Sequence, residues 1–308
     1  MTVKPWHGGE LRRDAETHGW SILAAGRAAR PHVPARTGCP LCPGPGEDTP
    51  AETWRLAGDD GWRVRAVHNR YALSDRHEVV IESPRHDWDP ATAAVSEVAD
   101  VLTAWQVRHR ALRADAAQVA VFRNYGTAAG ISLSHPHSQV AGLPVLSPAT
   151  RRGLEIAREH HATTGRCLAN DELKAELTTG TRIVYADEHV IAYTPFAPTA
   201  DCELRLTLRE PRADFAAAPR HSVEELARCL RAVLAALRAE FDDPAYNLVV
   251  HTAPTGFEDA PFLGWGLQLV PRLAIAAGLE LATGIPVVTV APERSAARLR
   301  NRLAAAAV

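Results

Sequence analysis

Apolar and polar positions follow one order along the first part of the chain and repeat it in the second. WRVRAVHNRYAL (62–73) and HEVVIES (77–83) set β-branched residues against polar ones between turn signals, which predicts two strands. Residues 92–113 carry apolar side chains at helical spacing. AQVAVFRN (117–124) and SLSHPHSQVAG (132–142) then predict two more strands around a glycine-containing turn. The second part runs TRIVYADEHVIAYTP (181–195), DCELRLTL (201–208), a helix over 222–240, YNLVVHTAP (246–254) and GWGLQLVPRL (264–273). A repeat of this size implies duplication. Residues 149–178 read as helical and polar, a connecting segment, and the tail from APERSAARLR reads as a final helix. The pattern predicts an α+β fold of two duplicated halves, 1–148 and 149–308, built mainly of antiparallel sheet with flanking helices.

Composition narrows the functional classes. A chain of 308 residues, 46% hydrophobic and 23% charged, can bury a large core. Its net charge of -2 argues against a broad nucleic-acid or membrane surface, so an anionic ligand must be held by locally placed arginines. The stretch MTVKPWHGGELRRDAETHGW has no apolar run fit for a signal peptide, and nowhere do about 18 apolar residues run uninterrupted. A cytoplasmic location is expected.

Candidate chemistry concentrates in LSHPHSQVAG (133–142). In an extended strand, residues two apart share a side, so His135, His137 and Gln139 are expected on one face, with Pro136 and Ser138 on the other. Pro136 cannot donate to a ladder, which predicts an edge or rim position. A polar strand end with solvated histidines is the alternative. The preceding RNYGTAAGISLS supplies glycines and small polar residues that leave room for a phosphate against backbone N–H groups.

GCPLCPG is the second constellation. Of five cysteines, only Cys39 and Cys42 lie close together, which favours a metal or redox pair over a disulfide framework. Pro40 and Pro43 give the pair turn chemistry rather than the strand-then-helix setting of a redox motif. Zinc would need two further ligands, for which His86 and His135 are candidates.

Together these segments resemble the galactose-1-phosphate uridylyltransferase branch of the histidine triad superfamily, which also includes nucleoside-diphosphate-sugar and dinucleoside polyphosphate phosphorylases. The resemblance runs through ELRRDAETHGWSILAAGRAARP, CPLC, VHNRYAL, HEVVIESPRH, NYGTAAGISLSHPHSQ, YNLVVHTAP and VPRLAIAAGLEL. It implies histidine-triad-like halves, zinc held by Cys39, Cys42, His86 and His135, and His137 as nucleophile. Asn69 and Tyr71 would line the nucleoside, Asn124 and Ser132 would contact phosphate, and Glu280 would receive sugar hydroxyls. Arg27 and Arg30 would reach phosphates from a neighbouring subunit, which implies a homodimer; the arginine fork suits that role.

The residue chemistry agrees with a nucleophilic role. A neutral imidazole can displace phosphate from the α-phosphorus of a nucleotide if a carbonyl fixes its other nitrogen. Hydrolytic members of the superfamily carry a third histidine where this chain has Gln139. A glutamine can donate to a phosphoryl oxygen but cannot deliver a proton, which suits a phosphate leaving group whose second pKa is about 6. The implied reaction moves a nucleotidyl group between a nucleotide sugar and a sugar 1-phosphate. Alternatives are phosphorolysis, with inorganic phosphate as acceptor, and a non-catalytic nucleotide-binding regulator. The second half departs from the family's second metal site: His251 remains, with Glu155 as a candidate neighbour, but Gly266 and Gln268 occupy histidine positions. Neither iron nor a second zinc is expected.

Overall fold

The computed structural model describes every residue except 1, 7, 8, 25, 26, 28–37, 60, 307 and 308. Three short strands, β1 (Thr2–Trp6), β2 (Gly9–Arg13) and β3 (Trp20–Leu23), form a small antiparallel sheet. The hydrophobic pattern gave no sign of it.

The first half continues with β4 (Glu52–Gly58), β5 (Gly61–His68), β6 (His77–Ile81), α1 (Val95–Leu112), β7 (Gln118–Tyr125) and β8 (His137–Leu143). The connecting segment is two helices, α2 (Pro148–Thr164) and α3 (Leu168–Thr179). The second half follows as β9 (Ile183–Ala186), β10 (Val190–Tyr193), β11 (Leu204–Leu208), α4 (Arg220–Phe241), β12 (Tyr246–His251) and β13 (Gly266–Pro271). Helices α5 (Gly278–Thr283) and α6 (Pro292–Ala306) end the chain.

Ten strands make one sheet in the order β4-β5-β6-β8-β7-β12-β13-β11-β10-β9, with every pairing antiparallel. Read outward from the β7–β12 junction, the two sides have the same order of elements. Duplication therefore appears as a pseudo-twofold within a continuous sheet.

Three sequence expectations need correction. The strand expected over 62–73 stops at His68, because residues 69–76 turn back toward β6. The strand expected over 181–195 is a hairpin, turned at Asp187, whose carboxylate accepts from the N–H groups of His189 and Val190. The strand expected over 132–142 begins only at His137. Pro136 breaks the ladder as its missing N–H requires, but β8 lies between β6 and β7, well inside the sheet rather than at an edge.

The larger core lies on the helix side. Helix α4 buries Val223, Leu226, Ala227, Leu230, Val233, Leu234 and Leu237, an i, i+3, i+4 stripe that meets α1, α6 and the sheet. From α1, Trp105 donates its indole N–H to Ser138 Oγ at 2.7 Å, fixing β8 from that side. Arg123 on β7 is buried against Glu82 at 2.9 Å and donates to Tyr246 Oη at 2.6 Å, tying the first half to β12. The opposite face holds a smaller cluster, Leu41, Val67 and Ile81, packed with Val79 and Leu133. Among the described residues, no helix is long and apolar enough to cross a membrane.

Candidate active site

The register of β8 against β6 positions the site. Ile81 faces His137, Val79 faces Gln139 and His77 faces Ala141, so His77, His137 and Gln139 share the sheet face away from the helices. A cleft opens over that face, enclosing about 950 Å³ with the solvent at its mouth included. Val67, Val79, Leu41 and Leu133 give it apolar walls, while Asn69, Tyr71, Ser132, His137 and Gln139 give it polar ones.

His137 is 7% exposed, and its Nδ1 lies 2.8 Å from the main-chain oxygen of His135. A carbonyl oxygen only accepts, so the ring proton sits on Nδ1 and the lone pair on Nε2. That is the tautomer a nitrogen nucleophile requires.

Gln139 is polarised by its neighbours. Its Oε1 lies 3.0 Å from His77 Nε2 and accepts from Asn69 Nδ2 at 3.3 Å. Asn69 in turn accepts the Tyr71 N–H on Oδ1 at 2.8 Å, so its own amide orientation is set by the backbone.

His135, two residues before His137, is not among the residues that line the cleft. Its side chain is fully buried. It meets Cys39, Cys42 and His86, with the four ligand atoms all within 4.8 Å of one another. Cys42 Sγ lies 3.3 Å from His86 Nδ1 and 3.4 Å from His135 Nδ1. A tetrahedral zinc with ordinary Zn–S and Zn–N bonds separates such atoms by about 3.5 Å, so the donor set fits that ion. Both outer nitrogens are engaged: His135 Nε2 donates to Ser83 O at 2.8 Å, and His86 Nε2 lies 3.1 Å from Ser134 Oγ. His135 Nδ1 therefore turns its lone pair inward, and His86 Nδ1 does the same when the Ser134 hydroxyl accepts from Nε2. Burial pulls the His135 imidazole below its ordinary pKa. Desolvation, with the adjacent Cys39 sulfur adding to it, pushes the Cys42 thiol up to about 11.

The other predicted residues divide. Asn69, Tyr71 and Ser132 line the cleft. Arg27 also lines the cleft of its own chain, with Nη1 donating to Tyr71 O at 2.5 Å. Arg30 lies outside the described residues. Asn124 is not among the lining residues; its Oδ1 accepts from Asn247 Nδ2 at 2.8 Å across the β7–β12 pair. Glu280 is also absent from the cleft. Its carboxylate accepts the Ala277 N–H at 3.0 Å and so caps α5. Glu155 pairs with Arg152 on α2 at 3.8 Å and does not reach His251.

The second half carries a smaller counterpart of the cleft, about 500 Å³, lined by Glu172, Arg205, His251 and Gly266. Gly266 stands where β8 has His137. A Cβ there would come within 3.0 Å of Leu206 O, so the backbone leaves little room for a side chain. Burial lowers the pKa of His251, whose Nε2 lies 2.7 Å from Gln268 Oε1.

Comparison with known proteins agrees with this geometry. The family model "Galactose-1-phosphate uridyl transferase, N-terminal domain" matches residues 72–146, the span from just after Tyr71 through β8. ADP-glucose phosphorylase of Arabidopsis thaliana is 28% identical over 95% of this chain and 92% of its own length. Galactose-1-phosphate uridylyltransferase of Thermotoga maritima is 24% identical over 95% and 98%. A solved uridylyltransferase superposes with a TM-score of 0.84 at 27% identity, covering 96% of this chain and 98% of that one.

Over nearly its whole length the chain is similar to galactose-1-phosphate uridylyltransferases and to ADP-glucose phosphorylase.

An ADP-glucose phosphorylase from A. thaliana has also been solved with bound ADP-glucose, and it superposes with a TM-score of 0.78 at 28% identity, covering 95% and 98%. His77, Ser83 and Ser134 are the contributors that motif reading passed over. HEVVIES was read only as a strand, yet its first residue is a histidine two positions, on the same face, from one packed against Gln139.

Proposed function

We propose that this chain is a nucleotidyltransferase that moves a nucleoside monophosphate group between a nucleotide sugar and a sugar 1-phosphate through His137. The observation that carries the reading is the His137 ring, held in an apolar-walled cleft with Nδ1 donating to a carbonyl, so that Nε2 is the nitrogen that carries the lone pair. The Nε2 lone pair attacks the α-phosphorus, and the P–O bond to the departing sugar 1-phosphate breaks with its electron pair. In the second step an acceptor phosphate oxygen attacks and the P–N bond breaks. Donor and acceptor use the site in turn. Asn69 and Tyr71 line the nucleoside, Ser132 and Arg27 meet phosphate, and Gln139 donates to a phosphoryl oxygen. Asn124, Glu280 and Arg30 remain assigned to substrate by resemblance alone.

Cys39, Cys42, His86 and His135 would hold zinc as a closed structural ion, with no open position for a substrate. The proposed unit is a homodimer. Ile275, Leu279, Leu281 and Ile285 are exposed in the segment that carries Glu280, an apolar surface that a second copy would cover and that could bring Glu280 toward its cleft. Residues 1–148 are read as the catalytic half and 149–308 as linker plus degenerate half, working in the cytoplasm without nucleic acid or membrane.

Phosphorolysis is the second reading, favoured by the likeness to ADP-glucose phosphorylase across 95% of the chain. Intact-protein mass spectrometry after mixing with UDP-sugars and ADP-sugars tests both. The added mass names the nucleotide, and release by sugar 1-phosphate or by inorganic phosphate names the acceptor. A chain that gains no mass from either donor contradicts the reading.

A further inference from the structure

The buried polar circuit beside the nucleophile has a fixed direction. Leu73 N–H donates to His77 Nδ1 at 2.9 Å, and a backbone amide can only donate, so Nδ1 carries the lone pair and Nε2 the proton. His77 Nε2 then donates to Gln139 Oε1 at 3.0 Å. From the other side, Tyr71 N–H fixes Asn69 Oδ1; Asn69 Nδ2 lies 3.1 Å from His77 Nε2 and 3.3 Å from Gln139 Oε1, and because Nε2 already carries a proton, Nδ2 donates to the same Gln139 oxygen. Two backbone amides, acting through His77 and Asn69, thus consume the acceptor end of Gln139. Its NH2 is left as the end that can serve the cleft.

The second half provides an internal contrast. Val79 faces Gln139 across β6 and β8, and Arg205 faces Gln268 across β11 and β13, so Glu203 occupies the place of His77. A carboxylate only accepts, and there the polarity reverses: Gln268 Nε2 donates to Glu203 at 2.8 Å. Its Oε1 is engaged by His251 at 2.7 Å, so the donor end of that glutamine is spent inside the protein. The same glutamine position on the same scaffold is set in opposite senses by the residue diagonal to it.

We infer that His77 is a positioning residue for nucleotidyl transfer: it fixes the Gln139 amide so that N–H, not carbonyl oxygen, meets the phosphoryl group. This rests on the transfer reading above. If Gln139 flipped, Oε1 would face the negatively charged phosphoryl oxygens, and a stabilising donor would become a repelling acceptor. His77 is 1% exposed and does not line the cleft, so it acts through Gln139.

A double-mutant cycle on the full-length protein tests this, using single-turnover formation of the labelled intermediate from a nucleotide sugar. His77→Phe should lower the rate roughly tenfold to a hundredfold with little change in KM, approaching the loss from Gln139→Ala, because the effective change is one misdirected donor. On the Gln139→Ala background, His77→Phe should have almost no further effect. His77→Gln, which restores a donor toward Oε1, should recover most of the rate. A full, independent loss in both backgrounds would assign His77 a merely structural role and overturn the inference. The ¹⁵N NMR tautomer of His77 decides the geometry even if the wild type takes no label, an outcome that would instead count against the transfer reading. An Nε2–H ring is expected, and an Nδ1–H ring overturns the inference with no reference to turnover.

Discussion

His137 Nδ1 donates to the carbonyl oxygen of His135 across 2.8 Å, and the His135 ring itself lies in the Cys39–Cys42–His86 cluster. Two histidines one residue apart thus serve separate sites, coupled by a single backbone carbonyl. Whatever fixes the position of His135 also fixes the tautomer of the residue proposed to attack.

Metal removal should therefore reach the chemistry. Purified protein is expected to contain about one zinc per chain, and stripping it should cost several kcal/mol of stability. Chelation should lower the melting temperature and the transfer rate together. A fully active preparation with no zinc by elemental analysis would refute the assignment, and Cys42→Ser should reproduce the chelated state.

Turnover should pass through a covalent intermediate. His137→Ala is expected to abolish activity, and radiolabelled donor should leave acid-labile label on the wild type but not on the variant. Initial rates should follow ping-pong kinetics. His137→Gly is expected to regain some activity when a nucleotide imidazolide supplies the missing ring already loaded. Parallel wild-type and His137→Ala rates would remove the histidine from the mechanism.

Gln139 should affect the rate of the intermediate's formation rather than its existence. Gln139→Ala removes one donor to developing phosphoryl charge, a loss of roughly 3 kcal/mol in the barrier. Gln139→His adds a group able to move a proton, so the ratio of hydrolysis to transfer should rise. An unchanged ratio, measured as free nucleotide against transferred nucleotide, would show that proton delivery does not separate the two outcomes.

Acid sensitivity should trace in part to His109 in α1. Burial, followed by the charge of Arg113, lowers its pKa from 6.5 to about 4, and Arg113 Nη2 lies 3.2 Å from the ring's Nδ1. Between pH 6.5 and 4 the unfolded chain takes up a proton that the folded chain resists. Stability is therefore complete above that window and falls as pH drops through it, by up to about 3 kcal/mol for this one group. Denaturant titrations at pH 7 and pH 4.5 measure the slope, and His109→Gln should flatten it.

The local pattern carried much of this. Alternation in HEVVIES and AQVAVFRN, and the apolar stripe of the helix over 222–240, are short-range consequences of which side chains must leave water, so the halves, their order and their antiparallel character were legible from the chain. CPLC and HPHSQ were legible because metal and nucleophile chemistry restrict residue type and spacing. What the chain alone could not give was direction. The start of β8 only at His137 was not legible, because a strand boundary depends on partners β6 and β7 that lie far away in sequence. The small N-terminal sheet and the hairpin at Asp187 were missed because their strands are only four or five residues long, too short for a periodic signal. The placement of Glu280 at the start of α5, outside the cleft of its own chain, was likewise not legible from the segment that carries it. The roles of His77 and Asn69 as opposed donors to one amide oxygen exist only in three dimensions. Hydrogen-bond polarity belongs to a network closed by backbone amides, and no single segment contains all of its members.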